Sequence, residues 1–180
     1  MLHLFSLSSF ALVCCLLTFG CATDSKTPDQ EQPTGEISMG ILIEPCELIT
    51  KTDAETLLGE PVKEPEKSEQ QVVGMKLCMY NPLDEASTSF LQITLTQQAF
   101  MKPGGVPPSD IFHSIKDAQS EGRIDLEGFG DEAFIATGGL YILKDDYYIS
   151  IGTGNTDLPE VQERLKSAGN VAARNLARLH

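Results

Sequence analysis

The sequence predicts an α+β domain, in which an antiparallel sheet of about five strands has helices packed on at least one face. Several short segments alternate apolar and polar side chains, a pattern typical of strands with one face on a core. Other segments place apolar residues three and four positions apart, which indicates amphipathic helices. The predicted order along the chain is α-β-β-α-β-β-β-α, and this order is typical of an antiparallel sheet covered by helices.

Composition and charge narrow the classes of function. The 180 residues are 41% hydrophobic and 22% charged, as in an ordinary globular protein. Residues 1–20 contain no Lys, Arg, Asp or Glu, so the net charge of −13 belongs entirely to the rest of the chain. A negative field repels nucleic-acid phosphates and anionic lipid headgroups. The charge therefore argues against nucleic-acid binding and against polybasic docking on membranes.

The N-terminus has the composition of an export signal followed by a tether. Residues 1–20 form an apolar run of signal-peptide length, and Gly20 directly precedes Cys21. Residues 21–38 are polar, contain two prolines and have no aliphatic residue larger than alanine before Ile37. This composition predicts a flexible tether, and residues 39–180 then form one globular domain.

The N-terminal segment resembles the signal of bacterial lipoproteins, in which a small residue precedes a cysteine that becomes acylated. The resemblance implies cleavage before Cys21 and acylation of Cys21 with fatty acids such as palmitate. Because Ala22 rather than aspartate follows, it also implies sorting to the outer membrane, facing the periplasm or the cell surface. The alternative is an uncleaved apolar helix of roughly 20 residues, which is long enough to span a bilayer.

Two cysteines are left for the folded domain once the signal and the lipidation site are set aside. These are Cys46 and Cys78, and in an oxidising compartment such a pair forms a disulfide. The alternative is a redox or metal pair, although the two cysteines lack the CxxC spacing typical of such sites.

A short helix opens the domain. Thr52 is its predicted N-cap, Glu55 is the capping-box partner three residues on, and Gly59 ends the helix. Residues 60–71 carry two prolines and mixed charges, so they predict an exposed loop.

Two strands and a second helix follow. Residues 75–80 alternate in polarity, and so do residues 90–97, where the threonines and glutamines predict one solvated face. A break at residues 102–108 leads to Ser109, the predicted N-cap of a helix that ends near Gly122.

Three more strands are predicted at residues 131–136, 139–144 and 147–152. A two-residue turn at Asp145-Asp146 makes the last two a hairpin. The predicted pairs across this hairpin are Leu140 with Ile151, Ile142 with Ile149, and Leu143 with Tyr148.

A long amphipathic helix ends the chain. Asp157 is the predicted N-cap and Glu160 the capping-box partner, while Arg174 and Arg178 suit the negative end of the helix dipole. The predicted apolar stripe, which should cover one face of the sheet, consists of Leu158, Val161, Leu165, Ala168, Ala172, Leu176 and Leu179.

Three stretches of the domain carry a family resemblance: residues 44–61, Cys78-Met79-Tyr80, and residues 126–133. They resemble small bacterial lipoproteins and secreted domains of unknown function, which open with Pro-Cys-x-Leu-Leu-Thr and place a second cysteine before a tyrosine. The resemblance implies pairing of Cys46 with Cys78 and an α+β sandwich similar to the PsbP-like fold. It implies no catalytic residue.

Motifs of nucleophilic, zinc-dependent and phosphate chemistry are absent from the sequence. His113 is a candidate general base with Asp110 or Asp117 nearby, and the alternative is packing at the edge of the helix core. Paired acids are candidate calcium ligands, although calcium needs six to eight oxygens around one point and the alternative is solvated turns. These pairs are Asp84-Glu85, Asp131-Glu132 and Asp145-Asp146.

The candidate binding surface is a patch of Tyr141, Leu143 and Tyr148. The hairpin pattern places these residues together on the sheet face opposite the isoleucines. Aromatic clusters on one face of a sheet bind partners, and the alternative is that a helix covers them.

These observations predict a membrane-tethered cell-envelope lipoprotein that acts as a non-enzymatic binding or assembly module. Its expected partners are the membrane, through the N-terminal lipid, and an envelope protein or small ligand, with no cofactor and no metal. One alternative is a hydrolase-like envelope enzyme, which requires a deep pocket holding His113 beside a carboxylate. The other is a purely structural lipoprotein, which requires neither a pocket nor an exposed patch.

Overall fold

The structure is a computed structural model, and it describes residues 40–179. The predicted signal peptide, lipidation at Cys21 and tether lie outside the described residues, as does His180.

One antiparallel sheet organises the described residues, in the spatial order β1-β2-β3-β7-β6-β5-β4. All neighbouring strands run antiparallel, which confirms the predicted α+β class. The predicted number of about five strands is too low, because the sheet has seven. The strands are β1 (Glu66–Gln70), β2 (Met75–Tyr80), β3 (Leu91–Thr96), β4 (Ile124–Leu126), β5 (Glu132–Ala136), β6 (Gly139–Lys144) and β7 (Tyr147–Gly152).

Four α-helices and two single 3₁₀ turns accompany the sheet within residues 40–179. None of these helices combines the length and the hydropathy of a membrane span. The helices are α1 (Pro45–Leu48), α2 (Lys51–Leu58), α3 (Pro108–Ala118) and α4 (Pro159–Leu179), and the 3₁₀ turns are Gln71–Val73 and Gln98–Phe100.

The N-cap of the first long helix is Thr50, so the prediction of Thr52 is wrong. The Thr50 hydroxyl accepts a hydrogen bond from the Asp53 backbone N–H at 3.3 Å, and the Asp53 carboxylate accepts one from the Thr50 N–H at 3.0 Å. Ile49, the residue before Thr50, is fully buried and has an extended backbone, so α1 ends there. Helix α2 then begins directly after the Thr50 cap. The helix ends as predicted at Gly59, whose φ is 76°.

Strand β1 lies within the segment predicted to be an exposed loop. All five of its residues, 66–70, are exposed, and Lys67 pairs opposite Cys78 of β2. Because β1 is an edge strand with both faces in water, its sequence needs no apolar alternation, and its charged side chains protect the edge from further pairing.

The predicted hairpin between β6 and β7 is confirmed, with each predicted residue pair in register. Asp145 and Asp146 have φ values of 50° and 61°, the left-handed conformation that a type I′ turn requires at both positions.

The main core lies on one sheet face, between the strands and the buried stripe of α4. Most of the predicted stripe is confirmed, although Leu158 and Leu179 are exposed. Helices α1 and α2 pack against the same layer. The disulfide between Cys46 of α1 and Cys78 of β2 is confirmed, with a Cα–Cα distance of 5.4 Å.

Helix α3 covers β6 and β7 on the other face. It begins at Pro108 after Pro107 and ends at Ala118, so the predicted start after Ser109 and end near Gly122 are both wrong. Proline fits the first turn of a helix, where no backbone donor is needed, which explains the earlier start. The predicted solvated face of β3 is also wrong in part, because Thr94 and Thr96 are buried.

Candidate functional site

The candidate patch of Tyr141, Leu143 and Tyr148 lies beneath α3. Less than a tenth of each residue is exposed. Phe112 of α3 contacts the Tyr148 ring at a centroid distance of 5.8 Å, and Tyr141 stacks on Phe134 at 4.8 Å. The alternative in which a helix covers the patch is therefore the one found in the structure. These side chains form a second core and present no open surface to a partner.

His113 lies beside a carboxylate, but that carboxylate is Glu132 of β5 rather than Asp110 or Asp117. The His113 Nε2 atom is 2.8 Å from Glu132 Oε1, and the Lys116 ammonium donates to Glu132 Oε2 at 2.6 Å. The hydrogen bond from Lys116, followed by that from His113, lowers the pKa of Glu132.

This pair lies on an open surface, because about half of the His113 side chain is exposed. A solvated carboxylate whose pKa is lowered is a weak general base, since proton transfer is most effective when the pKa lies near the working pH. With this exposure, His113 does not lie at the bottom of the deep pocket that the hydrolase alternative requires.

The paired acids take part in turns. Asp84 Oδ1 accepts a hydrogen bond from the Ala86 N–H at 2.9 Å, and Asp131 Oδ2 accepts one from the Asp145 N–H at 2.9 Å. Within residues 40–179, no group of three or more His, Cys, Asp or Glu side chains is arranged to hold a metal ion.

An open cavity of about 370 Å³ separates the last turns of α4 from the junction between α1 and α2. We call it the arginine groove, and it is lined by Glu47, Thr50, Asp53, Arg174, Asn175, Arg178 and Leu179.

Both walls of the arginine groove are held in place. The Asn175 side chain donates a hydrogen bond to the Leu48 carbonyl at 3.0 Å, which ties α4 to the end of α1. The buried Tyr80 hydroxyl donates to the Ile49 carbonyl at 2.8 Å. Burial, followed by the nearby Asp53 and Glu64 carboxylates, raises the pKa of Tyr80 to about 12.

The acidic and basic residues of the groove differ in their partners. Glu47 and Asp53 both accept hydrogen bonds from the backbone at the starts of α1 and α2. By contrast, neither Arg174 nor Arg178 takes part in an ion pair within residues 40–179. Both residues are exposed, and they lie four positions apart on one side of α4.

Two adjacent guanidinium groups without a partner form a surface that fits an anion. Arginine presents its N–H donors in a planar fork that binds a carboxylate or phosphate through two parallel hydrogen bonds. The sequence interpretation assigned Arg174 and Arg178 only to the helix dipole. A signal was available, since no Asp or Glu lies three or four residues from either arginine.

Comparison of the chain with protein-family models, with curated proteins and with solved structures gave no significant match.

Proposed function

We propose that the protein is a lipid-tethered cell-envelope protein whose folded domain is a non-enzymatic binding module. The observation that carries the proposal is the arginine groove, where Arg174 and Arg178 face an open cavity without an ion-pair partner among the described residues. Arg174 and Arg178 are exposed and lie one helical turn apart on the same wall of the groove, so both can offer N–H donors to a single anion.

Two features support the proposed cellular location. The Cys46–Cys78 disulfide persists in compartments outside the cytosol. The apolar run ending at Cys21 supports export and acylation, and acyl chains on one cysteine hold a protein on a membrane. We place the domain on the outer membrane, facing the periplasm or the cell surface.

The groove favours a ligand with a single carboxylate. Its arginines attract a negative group, while Glu47 and Asp53 on the opposite wall repel a second one. A polyanion such as nucleic acid would also meet the net negative charge of the whole chain. The ligand class is therefore a small carboxylic acid, or a peptide segment of an envelope protein that carries one carboxylate.

The proposal includes a finer fold and a family. The Pro45-Cys46 opening, the disulfide to Cys78 and the helix layers on both sheet faces support the group of small lipoproteins and a PsbP-like sandwich. An experimental structure superposed on PsbP-like domains tests this assignment, and a different strand order would contradict it.

The binding proposal is tested by following the arginine Nε–H signals of the full chain by NMR. The probe is an acetylated alanine tripeptide with a free terminal carboxylate, and the control is the same tripeptide with an amidated terminus. The signals of Arg174 and Arg178 should shift with the free carboxylate only. Arg164 lies on the same helix outside the groove and serves as the internal control.

Two results would contradict this assignment. The first is an equal shift at Arg164, because it would mean non-specific attraction of the peptide to any arginine. The second is an unchanged pair of groove signals, because the free guanidinium groups would then bind no carboxylate.

A further inference from the structure

We propose that one end of the sheet is an aliphatic tip that rests on the lipid bilayer. The tip consists of Ile41, Leu42, Val72, Val73 and Val106. This inference rests on the membrane tether proposed above, and it adds which surface of the domain faces the membrane.

The fold brings the turn between β1 and β2 to this end. Val72 and Val73 lie in the 3₁₀ turn, and the following Gly74 carbonyl accepts a hydrogen bond from the Gln97 N–H at 3.0 Å. The turn therefore lies beside the end of β3.

The loop after β3 lies at the same end. A Cβ atom on Gly74 would be 3.1 Å from Met101 Cβ, and Met101 in turn packs against Gly105. Val106 follows Gly105 directly, so it belongs to the same group of loops.

The first described residues also reach this end. The Gln97 side chain, which is fully buried, accepts a hydrogen bond from the Ile43 N–H at 2.9 Å and donates one to the Ile43 carbonyl at 2.7 Å. The Tyr147 hydroxyl donates to the Ile41 carbonyl at 3.2 Å. These hydrogen bonds hold Ile41 and Leu42 next to the C-terminal end of β3 and the start of β7.

The tip is distinguished by the grouping of its exposed aliphatic side chains at one end of the sheet. Val72 is 70% exposed, Ile41 and Val106 are each 56% exposed, and Leu42 is 50% exposed. The other exposed aliphatic residues among positions 40–179 are spread over the loop after β2, the edge strand β4 and the two ends of α4. They are Leu83, Ile124, Leu158 and Leu179.

The sequence before Gly40 indicates the bilayer as the occupant. The chain enters the domain at the tip, and 18 residues separate Gly40 from Cys21. An anchor at Cys21 therefore brings the tip, rather than the far end of the sheet, towards the lipid.

The tip is aliphatic, but the acidic turn Asp145-Asp146 lies at the same end of the sheet, because Thr96 at the end of β3 pairs with Tyr148 at the start of β7. The tip therefore fits a lipid surface with uncharged headgroups. With a net charge of −13, the chain is unsuited to polybasic docking, so aliphatic contact is the mode available to it. A second copy of the chain is a poorer occupant, since five partly exposed aliphatic residues fall short of the roughly 800 Å² that each partner buries in a stable dimer.

The test places a benzophenone amino acid at Val72 of the full chain, expressed in bacteria, and irradiates the isolated membranes. The matched control carries it at Leu83, which is 58% exposed but follows β2 at the opposite end of the sheet. We expect phospholipid adducts several-fold more often from position 72. Equal yields from both positions, or adducts from position 72 to protein, including a second copy of the chain, would overturn the proposal.

Washing the same membranes with alkaline carbonate separates the two proposals. If the chain is removed by the wash, the tether proposed above fails and the tip fails with it. If the chain stays in the membrane but position 72 gives no more lipid adduct than position 83, the tip alone is refuted. A non-reducing gel checks that the disulfide has formed in both variants.

Discussion

Replacing both Cys46 and Cys78 by alanine should lower the free energy of unfolding by about 4 to 5 kcal/mol. The two cysteines are 32 residues apart, and the loop they close runs from within α1 through α2 and β1 into β2. On the chain-entropy model, a cross-link over this length destabilises the unfolded chain by about 3.7 kcal/mol. Removing the sulfur atoms from the core adds roughly 1 kcal/mol, because Cys78 is fully buried beside Ile93.

The assay is equilibrium unfolding in urea, followed by circular dichroism because the chain contains no tryptophan. Alanine is preferred to serine, since a hydroxyl at position 78 would be buried without an assured partner. The matched control is the wild-type chain with its disulfide reduced, which keeps both sulfur atoms. It should lose the loop contribution of about 3.7 kcal/mol only.

The unfolding slope provides a second check. Without the cross-link the unfolded chain expands and exposes more surface, so the dependence on urea should become steeper. A loss of less than about 1 kcal/mol in the double-alanine variant would refute the reasoning, because the disulfide would then not restrict the unfolded state.

Three further predictions concern single residues. In Lys116→Met, the pKa of Glu132 measured by NMR titration should rise towards its ordinary value, because the largest cause of its lowering is lost; an unchanged pKa would contradict the assigned ion pair. Because the folded-state pKa is lowered, this interaction stabilises the wild type above the unfolded pKa, and that contribution is lost as the pH falls through the folded pKa. Gly139→Ala should destabilise by more than about 1 kcal/mol in urea unfolding, since Gly139 has a φ of 148° and packs against a carbonyl of β7. The control Gly59→Ala, with φ 76° and open space around it, should lose about 1 kcal/mol, and an equal loss from both would contradict the close contact. Asp146→Gly should stabilise by about 0.5 kcal/mol in the same assay, because φ is 61° there, and a loss of stability would argue against the type I′ turn.

Local signals in the sequence were sufficient for much of the sheet. The hairpin at Asp145-Asp146 was predictable because alternation sets the register once the turn length is known. Strand β1 was not, since residues 66–70 are polar on both sides and form a strand only by pairing with β2. The start of α2 was ambiguous because Thr50 and Thr52 are each followed three residues later by an acid.

The candidate site was harder to predict than the fold. Alternation grouped Tyr141 with Tyr148 on one face, but only tertiary packing decides that α3 covers them. The arginine groove forms only because α4 docks beside α1, and these two helices are far apart in sequence. Local sequence could place Arg174 and Arg178 on one helix face, but not opposite the α1–α2 junction.

The lipid-tethered binding module is best tested by native followed by denaturing mass spectrometry of the full chain, purified in mild detergent from its own membranes. We expect a chain that begins at acylated Cys21, with two hydrogens fewer for the Cys46–Cys78 disulfide. We also expect a retained ligand that is lost when Arg174 and Arg178 are both replaced by alanine but kept in Arg164→Ala. An unprocessed Met1 start would contradict the tether, and a ligand retained equally by both variants would contradict the arginine groove as the binding site.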